Sequence, residues 1–81
     1  MKEQLNTELS EYLKLLRFKK KISQEAISEK LNITRQCYNN WENNPIKLDL
    51  SKLIEIGNAI GEDIIIFFDN YIAKSNKNKE E

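Results

Sequence analysis

Two short amphipathic segments in the first half of this 81-residue chain lie so close together that they must fold as one unit. The first opens at Ser23, whose hydroxyl can accept a hydrogen bond from an orphan backbone N–H of a first helical turn. Gln24 to Leu31 then place Ile27 and Leu31 on one face. Asn32 suits the left-handed conformation that a sharp helix stop requires. Only Asn32 and Ile33 precede the next cap, Thr34, and a second helix is expected from Arg35 to about Asn43. Asn44-Pro45 closes it, because proline disfavours helix in the residue before it.

The remaining periodicity is helical on both sides of this pair. Leu9, Tyr12, Leu13 and Leu16 recur at spacings of three and four, which predicts a helix from about Thr7 to Lys20 with Asn6 or Thr7 as its cap. Glu8 then sits near the positive end of the helix dipole, and Lys19, Lys20 and Lys21 at the negative end. A further helix is expected to start at Asp49, carry Leu50, Leu53, Ile56 and Ile60 as its inner stripe, and stop at Gly61. From Asp63 to about Ile72 three consecutive isoleucines and two phenylalanines suit a strand by propensity, while a short helix also fits. The expected fold class is all-α, a compact five-helix domain over residues 1–73 whose last element is a short helix or a short strand. The polar tail, 74–81, has no large apolar side chain to bury and is expected to be disordered.

Composition excludes several chemistries. There is no histidine and a single cysteine, Cys37, so neither a Cys/His metal cage nor an internal disulfide can form within one chain, and no metal or cofactor is expected. Lacking histidine, a glycine-rich phosphate loop and a serine–base arrangement, the chain does not read as an enzyme. The longest apolar run, Ile64 to Phe68, is far short of the about 20 residues a membrane span needs, and the polar start of the chain has no signal-peptide character. A cytoplasmic protein without membrane contact is expected. The 13 basic and 13 acidic residues cancel, which argues against a nonspecific nucleic-acid coat. Their distribution is uneven. Residues 1–47 hold nine Lys/Arg against six Glu, and residues 48–81 hold four Lys against seven Asp/Glu.

The basic half contains the closely spaced pair, and the second helix of that pair opens with polar side chains. Thr34, Arg35 and Gln36 lead, with Asn39 and Asn40 one turn later. Two short helices joined by a tight turn match the geometry that lays a helix in the DNA major groove with its N-terminal residues at base edges. Arginine offers a bidentate fork to guanine, and glutamine and asparagine can do the same for adenine.

The sequence resembles the phage-repressor and Cro-type helix-turn-helix family, also called the xenobiotic-response-element family. Leu13-x-x-Leu16-Arg17 matches its first helix, and the run from Ser23-Gln24 through Ile27-Ser28, Leu31-Asn32-Ile33-Thr34-Arg35-Gln36, Tyr38-Asn39 and Trp41-Glu42-Asn43-Asn44 matches its central motif. Leu50, Leu53, Ile56-Gly57 and Ala59-Ile60-Gly61 match its fourth helix. The resemblance implies a lambda-repressor-like fold and a dimeric transcriptional regulator, a repressor of promoters bearing two operator half-sites. Carried over, it implies that Gln24 bonds a phosphate and braces the reading helix, and that Thr34 meets the DNA backbone. Arg35, Gln36 and Asn40 would contact bases and phosphates, while Asn43, Asn44 and Lys47 would track the opposite phosphates. It also implies that Arg17 and Glu42 form a structural ion pair and that Trp41 belongs to the core. This chain departs from the family pattern at Lys21, Asn32 and Asn44, where glycine is usual, and at Ser28, where alanine is usual. Tyr38 replaces a smaller aliphatic residue, so its hydroxyl needs a partner.

Aligned with the family's final helix, Ile64 and Phe67 take core positions, while Ile65 and Ile66 fall where polar residues are usual. Together with Phe68, Tyr71 and Ile72 they would form an apolar patch within residues 62–73, and a two-fold homodimer interface is the expected cover. The same segment keeps a second reading open: an antitoxin or inhibitor module whose main target is a protein of unknown identity, using the helix-turn-helix for autoregulation.

Overall fold

The computed structural model describes the backbone of residues 2–80 and the side chains of residues 3–74. It contains five α-helices, α1 (Lys2–Lys20), α2 (Gln24–Leu31), α3 (Arg35–Asn43), α4 (Leu50–Ile60) and α5 (Ile65–Glu80), with a 3₁₀ turn at Pro45–Lys47 and no strand among the described residues. None of these helices is long and apolar enough to cross a membrane.

Helix α1 starts at Lys2 rather than at Thr7. No glycine or proline interrupts residues 2–6, and Leu5 packs against the core. Neither Asn6 nor Thr7 caps the helix, and the Thr7 hydroxyl donates to the Glu3 carbonyl inside it (3.0 Å). At the other end Lys21 turns left-handed (φ 58°), and the N–H groups of Lys21 and Ile22 close onto the carbonyls of Phe18 and Arg17.

The next three helices have side-chain N-caps, each satisfying an orphan N–H. Ser23 accepts from Ala26 N (3.0 Å), Thr34 from Cys37 N (3.0 Å) and Asp49 from Lys52 N (2.9 Å). Asn32 takes the left-handed conformation (φ 60°), and its N–H closes onto the last turn of α2. Gly61 ends α4 in the same way (φ 94°). A few residues earlier Gly57 is buried, and a Cβ there would come within 2.9 Å of the Glu62 carbonyl oxygen. Its missing side chain lets the chain fold back over α4 before entering α5.

The core draws on every helix. Leu9, Leu13 and Leu16 of α1 meet Ile27 of α2, Tyr38 of α3 and Ile56 and Ile60 of α4. Leu53 belongs to this cluster, but Leu50 does not: it occupies the first turn of α4 and is exposed. Trp41 is half-buried against the same cluster. Where α2 is most buried, Ser28 preserves small size and donates its hydroxyl to the Glu25 carbonyl (2.7 Å).

The segment open to strand or helix is helical. Isolated β-propensity favours a strand there, but packing decides otherwise, as it commonly does. Helical spacing puts Phe67 and Tyr71 one turn apart on the side facing α1, beside the buried Ile64. The Phe67 ring lies 4.9 Å from Tyr12 and 6.0 Å from Tyr71, and Lys74 reaches Glu8 at 3.7 Å. Helix α5 therefore runs antiparallel to α1. The sequence reading ends the last element near Ile72 and expects a disordered tail over 74–81, but the backbone of α5 continues as helix to Glu80; beyond Lys74 the side chains lie outside the described residues.

Candidate nucleic-acid interface

The site is built around one buried carboxylate. Glu42, on the last turn of α3, has no exposed surface. Its Oε2 accepts from Arg17 Nε (2.9 Å) and from the Tyr38 hydroxyl (2.7 Å). Its Oε1 accepts from a second Arg17 nitrogen (3.1 Å) and from Gln24 Nε2 (3.1 Å). The remaining Arg17 hydrogen bond goes to the Ile22 carbonyl (3.2 Å). One carboxylate thus ties together α1, α2, α3 and the α1–α2 turn. The two-pronged arginine contact is the geometrically demanding, strong kind.

The electrostatics follow from this arrangement. Burial pushes the Glu42 carboxyl upward, and the hydrogen bonds from Arg17, Tyr38 and Gln24 more than offset it, so the group titrates below its ordinary value. Tyr38 moves the other way: burial, and then the bond to an already ionised carboxylate, hold its hydroxyl protonated far above the usual range. No buried side-chain nitrogen or oxygen among the described residues lacks a partner. The Tyr38 substitution thereby gains a role, since its hydroxyl completes the set of donors around Glu42.

On the outer side of this brace, Thr34, Arg35, Gln36 and Asn40 are exposed on the start of α3, and Asn39 is half-buried. Gln24, half-buried at the first turn of α2, joins Arg35, Gln36 and Asn39 in lining a polar concavity. Gln24 Nε2 also donates to Asn39 Oδ1 (3.1 Å), so both of its N–H groups are engaged within the protein. Asn43, Asn44 and Lys47 are exposed in the segment leaving α3.

That segment has an anchor the sequence pattern missed. Asn6 Nδ2 donates to the Asn43 carbonyl (3.3 Å), and Asn6 Oδ1 accepts from Ile46 N (3.1 Å). Nothing in local periodicity marks a pairing across about forty positions. In the sequence Asn6 reads as a candidate helix cap, a role that hides this one.

The apolar C-terminal residues are divided. Ile65, Ile66 and Ile72 are exposed (40, 50 and 56%), whereas Phe68 and Tyr71 are half-buried, with their rings near Phe67. Leu50 and Ile54 of α4 are exposed as well.

A family model described as helix-turn-helix matches residues 13–67. The chain belongs to the Cro/C1-type helix-turn-helix family. No curated protein and no solved structure matches it. In this helix-turn-helix protein α2 and α3 are the eponymous pair, and the Glu42 cluster joins that pair to α1. Membership makes the protein a DNA-binding transcription regulator in kind. The matched span reaches Phe67 and so covers the α2–α3 unit and every buried core residue but Leu9. It leaves Phe68, Tyr71 and Ile72 outside.

Proposed function

We propose that this helix-turn-helix protein is a sequence-specific repressor that binds double-stranded DNA as a homodimer, one subunit per operator half-site. One observation carries the reading: Arg35, Gln36 and Asn40 stand exposed on a short helix whose other end is locked to α1 and α2 through Glu42. A rigid helix presenting donors and acceptors fits base-edge readout in the major groove. Thr34, Asn43, Asn44 and Lys47 would meet phosphates and set register, while Arg35, Gln36, Asn39 and Asn40 would set sequence. Gln24 braces the recognition helix. The exposed Ile65, Ile66 and Ile72, extended by Phe68 and Tyr71, would cover one another across a two-fold axis. The two recognition helices would then lie about 34 Å apart, one turn of B-DNA.

Selection of binding sites from a random DNA pool, followed by affinity measurements across salt concentrations, tests the proposal. A two-fold symmetric consensus and a large ratio of specific to nonspecific affinity are expected. Gln36→Ala should lose about 1–3 kcal/mol of discrimination at one or two base pairs. Ile65→Lys should shift the sedimentation profile toward monomer. Unchanged site preference in the first variant removes the recognition-helix assignment, and an unaltered profile in the second removes the interface.

A further inference from the structure

The hydrogen bonds around Gln24 determine more than the bracing of α3. An ionised carboxylate only accepts, so the group that Gln24 turns toward Glu42 Oε1 must be its amide nitrogen. The second hydrogen of that nitrogen is directed at Asn39, at 3.1 Å, so Asn39 must answer with its oxygen. The nitrogen of Asn39 is thereby left on the opposite side of its amide. Asn39 and Gln24 line the same concavity as Arg35 and Gln36, on the face where α3 presents its first turns. The polarity of an amide on the recognition surface is thus dictated, through two hydrogen bonds, by a buried charge. Free asparagine can flip to offer either end; here one end is committed. Both N–H groups of Gln24 are engaged within the protein.

We propose that Asn39 is a specificity-determining residue that reads a hydrogen-bond acceptor on a base edge, purine N7, as an obligate donor, and that Gln24 and Glu42 are its positioning residues. The inference rests on the DNA-binding reading above. Fixed polarity is what gives it discriminating power. A donor held in place gains a bond at a purine and meets no acceptor in the corresponding position of a pyrimidine. No rotation of the amide rescues the mismatch without breaking the chain back to Glu42.

The test uses the full protein and its selected operator. Single 7-deazapurine replacements, which remove N7 and leave base pairing intact, are scanned through each half-site. At one position the wild-type protein should lose about tenfold in affinity, and Asn39→Ala should be insensitive to the same replacement. Asn39→Asp keeps the oxygen facing Gln24 but replaces the outward donor with an acceptor, so its selected sites should no longer require a purine there. Several outcomes overturn the inference alone while leaving the regulator reading intact. These are a wild-type protein that binds its operator with equal affinity at every 7-deazapurine position, an Asn39→Ala protein as sensitive as wild type, and a loss in Asn39→Ala that is uniform across all sequences, which would mark a phosphate contact. Failure of the wild-type protein to select any sequence overturns both. Arg35 and Gln36 can also meet N7, so the position whose sensitivity disappears in Asn39→Ala but persists in Gln36→Ala is the one assigned to Asn39. Circular dichroism first checks that each variant keeps the wild-type fold, and Asn39→Ser replaces any that does not.

Discussion

Replacing Glu42 by glutamine should remove a large part of this protein's stability. The substitution keeps the shape of the side chain and changes one oxygen to a nitrogen. Four donors converge on the two carboxylate oxygens, two on each. Whichever way the new amide turns, one Arg17 N–H faces an N–H group and loses its acceptor, while the Tyr38 hydroxyl or the Gln24 amide beside it must turn round to accept. Each orphaned buried donor costs about 1–3 kcal/mol. The Arg17 side chain, only 13% exposed, also loses its counter-charge. Breaking a buried pair from one side costs about 3–5 kcal/mol in all, because the stranded N–H and the uncompensated charge belong to the same arginine. For 81 residues the whole folding free energy is expected at about 4–12 kcal/mol. The loss is therefore about a quarter of the total or more, with a fall in Tm of at least about 12 °C. Urea denaturation followed by circular dichroism measures it directly. The companion experiment is the double variant Arg17→Met with Glu42→Leu, which removes both charges together and should be more stable than Glu42→Leu alone. If Glu42→Gln costs less than about 1 kcal/mol, or if the double variant shows simple additivity, the carboxylate is not the hub described above.

Lys21→Gly should stabilise the protein by about 0.5–1 kcal/mol. The left-handed backbone at Lys21 (φ 58°) costs a side chain about 1–2 kcal/mol, of which glycine's greater unfolded-state freedom returns only part; a lower urea midpoint would refute this. Asn6→Ala should cost about 1–2 kcal/mol in stability and weaken DNA binding equally across sequences, because Asn6 anchors the segment assigned to phosphate contacts; a change in base preference would contradict that assignment. Stability should fall on acidification below about pH 4.5. The unfolded Glu42 carboxyl takes up its proton near its ordinary value of 4.5, the folded one only at lower pH, so the contribution is complete above that value and lost as pH drops through the depressed one. Asp49, held low first by the Lys52 backbone N–H and also by Ser51 and the Lys52 side chain, acts in the same direction. Tyr38 has the opposite sign, so its contribution is complete below its ordinary 10.0 and declines above it. Acid and alkaline unfolding curves of Glu42→Gln and Tyr38→Phe should flatten at their respective ends, and curves identical to wild type would remove the linkage.

The helix boundaries that could be read in advance are those set by local chemistry. Ser23, Thr34 and Asp49 cap helices because a short polar side chain can reach an N–H a few residues ahead, and Asn32 and Gly61 stop helices because their backbone tolerates a positive φ. The α2–turn–α3 unit and its outward polar residues followed from the same rules, since periodicity and capping act within one or two turns. The misjudged features depend on neighbours remote in the chain. Helix α1 extends back to Lys2 and Asn6 becomes a clamp because the segment around Asn43–Ile46 folds beside it. Leu50 matched the apolar spacing of α4 but sits at the edge of the core, where nothing covers it.

Sequence alone determined the all-α class apart from its last element, the order of the first four helices and the exposed polar face of α3, because each depends on spacing within a few residues. Tertiary structure alone decided that Ile65 to Phe68 coil rather than extend, since that choice turns on whether Phe67 and Tyr71 can reach Tyr12 and on the docking of Ile64. It also decided how Tyr38, Gln24 and Asn39 orient, because a buried carboxylate with four donors takes shape only when three helices bring those side chains to one point.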